Sequence, residues 1–186
     1  MKPPIRLSAR ESIIEASFVL FSHNIGASLS EVAERAGVGR ATLHRQFANR
    51  DDLLRTLARL AIAEMNAAAD AASADAKSYS EALRATLYAL IPLGDRHGFL
   101  AREPLEADPD LAKEFERLDQ EMNELVEAAK GEGLFDTALP TPWISQVFDS
   151  LLFTAWESVK LGHTTTNQAA DLAWLTLIQG LGAKKK

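Results

Sequence analysis

The chain has 186 residues, 47% apolar and 25% charged, with a net charge of −6 at neutral pH and no cysteine. That is the balance of a globular protein built as one domain, or as a small module fused to a medium one. It excludes disulfide frameworks, thiolate zinc sites, iron–sulfur clusters and cysteine nucleophiles, and no run reaches the roughly 18 apolar residues of a membrane span.

The N-terminus, Met1-Lys2-Pro3-Pro4-Ile5-Arg6, has no signal-peptide core, so a cytoplasmic protein is expected. A first helix is predicted from about Leu7 to His23, with Ile13, Ile14, Phe18 and Phe21 near helical spacing, Asn24 as cap and Gly26 as stop. Ser28-Leu29-Ser30-Glu31 then has a capping-box pattern, a hydroxyl three residues before a carboxylate. The short helix it opens ends at Ala36-Gly37, and a second follows from Arg40 to Phe47. Asn49 with Asp51 and Asp52 begins a long fourth helix, expected to reach about Ala72. A fifth fits Ser80 to Ile91 and stops at Pro92 and Gly94. Residues 93–110, with Gly94, Gly98, Pro104 and Pro109, are expected to hold only short helical turns. Three long helices complete the chain: one from Asp108-Pro109 to Gly131, Trp143 to Leu161 behind Pro142, and about Thr166 to Leu181. No alternating β pattern of useful length occurs. The expected fold is all-α with about nine helices.

The charge is uneven along this chain, with +2 on residues 1–55 and −8 on the remainder. A mildly basic head on an acidic body leaves one face able to meet phosphate while limiting non-specific polyanion binding. Within that head, Ser30 to Phe47 meets the steric demands of a helix-turn-helix. Ala33 is small where the helices touch, Gly37 tolerates positive φ in the turn, and Val32, Val38 and Leu43 can lock the pair onto the first helix. The second helix of such a pair lies in the major groove. Its candidate base-reading residues are Arg40, Ala41, Thr42, His44, Arg45 and Gln46, since Arg pairs with guanine, Gln with adenine, and Ala or Thr with a thymine methyl. Arg50, the start of the fourth helix, and Thr42 or His44 are candidates for phosphate, and Ser28 at the head of the motif is grouped with them. Arg6 and Arg10 are either flanking DNA contacts or solvated charges, and Lys184 to Lys186 read as a solvated tail.

Residues 28–54, SLSEVAERAGVGRATLHRQFANRDDLL, resemble the DNA-binding segment of the TetR family of regulators, and the similarity extends over about residues 8–56. The resemblance implies an N-terminal three-helix DNA-binding domain, residues 1–52, and a helical effector-binding and dimerisation domain, residues 53–186. The family usually has Tyr where this chain has His44 and often His where it has Gln46, and Arg50 matches its phosphate-contacting Lys. The resemblance further implies a homodimer closed by the last two helices. Both helices are apolar on more than one face, which makes Leu151, Leu152, Ala155, Val159, Leu172, Leu175 and Ile178 the expected interface. For a small, largely apolar effector the candidates are Met65, Leu87, His97, Phe99, Met122, Phe148 and Trp156, with Phe153 beside them. Plain core packing is the alternative for the aromatics, and a surface position for His97. Glu103, Glu106, Asp108 and Asp110 fit a solvated loop and an acidic helix start better than a cation site. No catalytic motif, metal site or cofactor loop is recognisable.

The expected function is a regulator, by default a repressor, that reads a palindromic operator as a homodimer and is released by its effector. Two alternatives remain at this point. One is a helical small-molecule-binding protein whose helix-turn-helix is only scaffold. The other is an architectural DNA binder without effector, which the acidic body disfavours.

Overall fold

The computed structural model describes residues 7–102 and 108–183. Arg6, Glu103, Glu106 and Lys184 to Lys186 lie outside the described residues. The helices, in chain order, are α1 (Ala9–Phe21), α2 (Leu29–Arg35), α3 (Arg40–Gln46), α4 (Arg50–Ser73), α5 (Tyr79–Leu90), α6 (Gly94–Leu100), α7 (Pro109–Gly131), α8 (Thr141–Lys160) and α9 (Thr166–Leu181), with a 3-10 turn at Ile91–Leu93. Among the described residues the only extended pairing is a single antiparallel bridge between Phe135 and Gly182. Two compact units form: residues 7–63 with 95–102, and residues 64–94 with 108–183.

The first unit holds α1, α2, α3, the N-terminal part of α4 and the chain from Asp95 to the end of α6. Local chemistry sets its helix ends. Ser8 and Ser28 each close a capping box, with Glu11 and Glu31 respectively, and the helix backbone's free N–H groups at those ends are thereby satisfied. The box at Ser8 begins α1 later than the expected Leu7. Gly37 sits at φ +67° in the turn after α2, the left-handed region where a Cβ is penalised. Val32, Ala33 and Leu43 are buried, as are Ile13, Phe18, Phe21, Phe47, Leu53 and Leu57, and α1, α2 and α3 pack against one another.

Within the stretch after residue 93, Gly94–Leu100 forms one continuous short helix, α6. Its Phe99 is fully buried and meets Phe18 edge-on at 5.8 Å, and that tertiary anchoring overrides the weak helix propensity of Gly94 and Gly98. The expected division after residue 52 falls inside α4, an uninterrupted helix to Ser73. Its buried Leu53, Leu54, Leu57, Ala58, Ala61 and Ile62 carry the first unit's contacts on to residue 63.

The second unit packs the end of α4, α5, α7, α8 and α9 around Leu83, Leu87, Val126, Phe135, Ile144, Phe148, Leu152 and Leu177, all at most 1% exposed. Polar groups tie the helix ends together. The Glu132 carboxylate after α7 accepts from the backbone N–H of Tyr79 and of Ser80, both at 2.9 Å, and so caps α5 from a distant part of the chain. Those bonds hold its carboxyl below the ordinary range. The buried Lys130 ammonium donates to Glu127 at 3.2 Å and to Thr141 at 3.1 Å, joining α7 to the start of α8. Asp108 caps α7 ahead of Pro109, and Thr165 closes a capping box with Gln168 at α9.

Candidate nucleic-acid interface

α3 is short, and its phase decides what it presents. Leu43 is buried on one side at 1% exposure, and Phe47 follows it into the core at the helix end. Those two contacts turn Arg40, Ala41, His44 and Arg45 to solvent and leave Thr42 and Gln46 half-buried at the edges. All six expected base-reading residues therefore share the accessible surface of one helix. An Arg45 Nη2–H donates to the Thr42 hydroxyl at 2.9 Å, one turn away, which restricts a guanidinium that would otherwise sweep solvent. The sequence placed both residues on the helix but gave no sign of this bond.

The remaining expected contacts are arranged differently. Ser28 is exposed, but its hydroxyl is taken up in the capping box, accepting from Glu31 N–H at 3.2 Å and donating to the Glu31 carboxylate at 2.7 Å. The Ser28 backbone N–H, which donates to the Glu31 carboxylate at 2.7 Å, and then the Ser28 hydroxyl hold the Glu31 carboxyl below its usual value. Arg50, half-buried, turns its guanidinium inward to the backbone carbonyls of Ala27 and Ile25 and lies over the Phe21 ring at 4.7 Å. It braces the loop ahead of α2 from the first residue of α4. That N-terminus also carries its own acceptors: the neutral Asn49 Oδ1 accepts from Asp52 N–H at 2.9 Å, and the Asp52 carboxylate accepts from Ala48 N–H at 2.9 Å. Arg10 donates to the Gln46 carbonyl at 3.0 Å with its guanidinium 4.5 Å from the Phe47 ring centre, so it grips the end of α3.

α6 supplies residues that the sequence did not point to. The Ser22 hydroxyl donates to Asp95 at 3.2 Å, and Arg96 pairs with Glu15 at 2.5 Å while lying 4.4 Å over the Phe18 ring. α1, the helix on which α2 and α3 rest, is thus gripped by α6 at Glu15 and Phe18 and at its cap residue Ser22.

The candidate effector and interface residues divide as follows. Leu87 and Phe148 are fully buried in the second unit's core, with Met65 and Met122 packed against it. Trp156, in the same unit, is 7% exposed. His97 and Phe99 belong to the first unit, so the seven candidates do not gather in one unit. On α8 and α9, Leu152 and Ala155 face the protomer's own core, and Leu151 and Val159 pack beside it. Ile178 is half-buried, whereas Leu172 and Leu175 are 54% and 45% exposed, as is Leu161 at 61%. The helical phase of α8 turns Leu152 and Ala155 inward, where the protomer itself buries them. No described helix is long and apolar enough to cross a membrane.

Three kinds of comparison bear on the arrangement. Residues 13–57 match the profile of "Bacterial regulatory proteins, tetR family". The chain is 33% identical over 184 residues to the HTH-type transcriptional repressor LfrR of Mycolicibacterium smegmatis, covering 96% of this chain and 95% of that protein. Among solved structures, the TetR-like regulator LfrR from Mycobacterium smegmatis in complex with proflavine superposes with a TM-score of 0.74 at 31% identity, over 95% of this chain and 97% of that one. The ketosteroid regulator KstR2 of Mycobacterium tuberculosis gives a TM-score of 0.78 over 96% and 97% of the two chains, and at 16% identity it bears on the fold alone.

Proposed function

Because the chain belongs to the TetR family of bacterial regulatory proteins and is a DNA-binding transcriptional regulator, we propose that it represses by reading a palindromic operator as a homodimer. A small, largely apolar effector releases it. The observation that carries the reading is the division of α3: Leu43 in the core, and Arg40, Ala41, His44 and Arg45 turned out together on one helix. Arg45, steadied by Thr42, suits bidentate pairing with a guanine O6 and N7 in the major groove. Thr42 and Gln46 flank it for a thymine methyl and an adenine edge, and His44 donates where the family usually offers a phenol. An operator reader of this kind works in the bacterial cytoplasm.

Dimerisation is supported by the exposed Leu161, Leu172 and Leu175 at the ends and outer faces of α8 and α9, apolar surface that a second protomer would cover. Two recognition helices held at a fixed separation then match two half-sites about one helical turn of DNA apart. The effector is expected in the second unit. LfrR crystallised with proflavine, a planar aromatic cation, which makes that compound the first probe for this chain.

Selection of binding sites from a random double-stranded DNA pool tests the reading. A palindromic consensus is expected, with Arg45→Ala losing the preference for a single base pair in each half-site at a cost of about 1–3 kcal/mol. Enrichment of no sequence would sink it.

A further inference from the structure

The first residue of α4 turns its charge onto its own protein. Arg50 is half-buried, and its guanidinium donates to the carbonyls of Ala27 and Ile25 while lying 4.7 Å from the centre of the fully buried Phe21 ring. These residues all belong to the first unit, so the contact ties the end of α1, the α1–α2 loop and the start of α4 within one compact body. Inside the loop, the Ala27 N–H donates to the Asn24 carbonyl at 3.0 Å and the Gly26 N–H to Asn24 Oδ1 at 3.1 Å. Those N–H groups are satisfied locally, and the Ile25 and Ala27 carbonyls are left for Arg50. Ala27 is 2% exposed and immediately precedes Ser28, the cap of α2. A planar fork that holds two carbonyls at once therefore fixes the point from which α2 starts, and α2 packs on α3.

The same helix end is poorly suited to a DNA phosphate. Asp51 and Asp52 occupy its first turn, and the Asp52 carboxylate takes the Ala48 N–H, so the positive end of the helix is already answered by carboxylates. A phosphate brought there would meet two negative charges and a guanidinium engaged elsewhere.

We propose that Arg50 is a positioning residue of the operator interface, which holds residues 25–27 at the entry to the helix-turn-helix and makes no phosphate contact itself. Operator affinity then depends on the fork and the ring contact of this side chain, not on its charge. The proposal rests on the regulator reading above and assigns a residue that keeps its DNA-reading helices in place.

Two substitutions separate geometry from charge, with the selected operator as DNA. Arg50→Lys keeps the charge but loses the planar fork, and Arg50→Met keeps an unbranched apolar stem but loses charge and fork together. Both are expected to weaken operator binding, Arg50→Met by about 10-fold, while the slope of log affinity against log salt stays unchanged. Amide hydrogen exchange over residues 25–32 is expected to quicken in both free variants, because the loop and the first turn of α2 lose their anchor. Thermal unfolding fixes a temperature at which each variant is folded for the binding measurement. A slope shallower by about one unit per protomer in Arg50→Met, with Arg50→Lys binding like wild type, would put Arg50 on phosphate and overturn the proposal. Wild-type affinity in folded Arg50→Met overturns it too, since the contact would then serve stability alone. Should neither variant fold, the wild-type protein decides through the guanidinium N–H resonances of Arg50. These are expected to stay in place when operator is added, and a large shift on addition overturns the proposal. A wild-type protein that selects no operator overturns the regulator reading instead, while hydrogen exchange in the free variants still judges the hold on the loop.

Discussion

The Arg10 guanidinium faces the Phe47 ring at 4.5 Å and donates to the carbonyl of the preceding residue, Gln46, at 3.0 Å. An exposed cation–π contact of this kind contributes about 0.5–1 kcal/mol, and here it fixes where α3 ends. Arg10→Ala is therefore expected to lower both the melting temperature and operator affinity, while the slope of log affinity against log salt stays unchanged. A residue on phosphate would take about one unit from that slope, so such a loss in a salt titration would place Arg10 on DNA instead.

Gly37 adopts φ +67° with open space around its α-carbon. The penalty for Gly37→Ala is thus one of backbone conformation without a clash, about 1–2 kcal/mol. Asn tolerates the left-handed region better, so Gly37→Asn should unfold at a denaturant concentration between those of Gly37→Ala and wild type. Equal unfolding midpoints for all three would contradict this account of the turn.

Leu152 and Leu172 differ sharply in exposure on the protomer. Leu152 is 1% exposed in the second unit's core, and Leu152→Ala should cost about 2–5 kcal/mol in denaturant unfolding. Leu172 and Leu175 are exposed on the protomer, so the pair Leu172→Glu and Leu175→Glu is expected to convert a dimer to folded monomers in sedimentation equilibrium, with a parallel loss of operator affinity. A variant that remains dimeric would move the interface elsewhere.

His97 should make stability fall at mildly acidic pH. Burial, with a contribution from the Arg102 charge, holds its imidazole below the ordinary value of 6.5. The unfolded chain begins to bind this proton near that pH while the folded protein does not. The stabilisation is complete above pH 6.5 and is lost as pH falls from there through the lowered folded value. The Asp149 carboxyl, pushed up to about 6 by desolvation and then by Asp119, contributes in the opposite direction, so urea unfolding between about pH 7.5 and about pH 5.5 should show the decline as the difference between wild type and His97→Gln. A wild-type minus His97→Gln difference that does not change over that range would contradict the sign.

The helix-turn-helix was legible because its signals are local. The Ser28–Glu31 capping box, the Asn49 cap and the positive-φ Gly37 each act within four residues along the chain, and the alternation of Leu43 with polar neighbours sets which side of α3 is free. Composition and helical periodicity likewise determined an all-α protein. Tertiary structure alone decided what the basic side chains hold. Arg10 and Arg50 look like DNA contacts in sequence, but their partners lie 36 and 23 to 25 residues away, beyond any local pattern. It also decided the phase of α8, where Leu151 and Leu152 are adjacent in sequence but only Leu152 is fully buried. A helix that is apolar on several sides gives no rotational signal, so only the neighbours it packs against can choose the face. The assignment of α6 has the same origin. Glycine-rich in sequence, it is helical because Phe99 is anchored on Phe18, and Gly94 is glycine because Trp156 occupies the space a side chain would need.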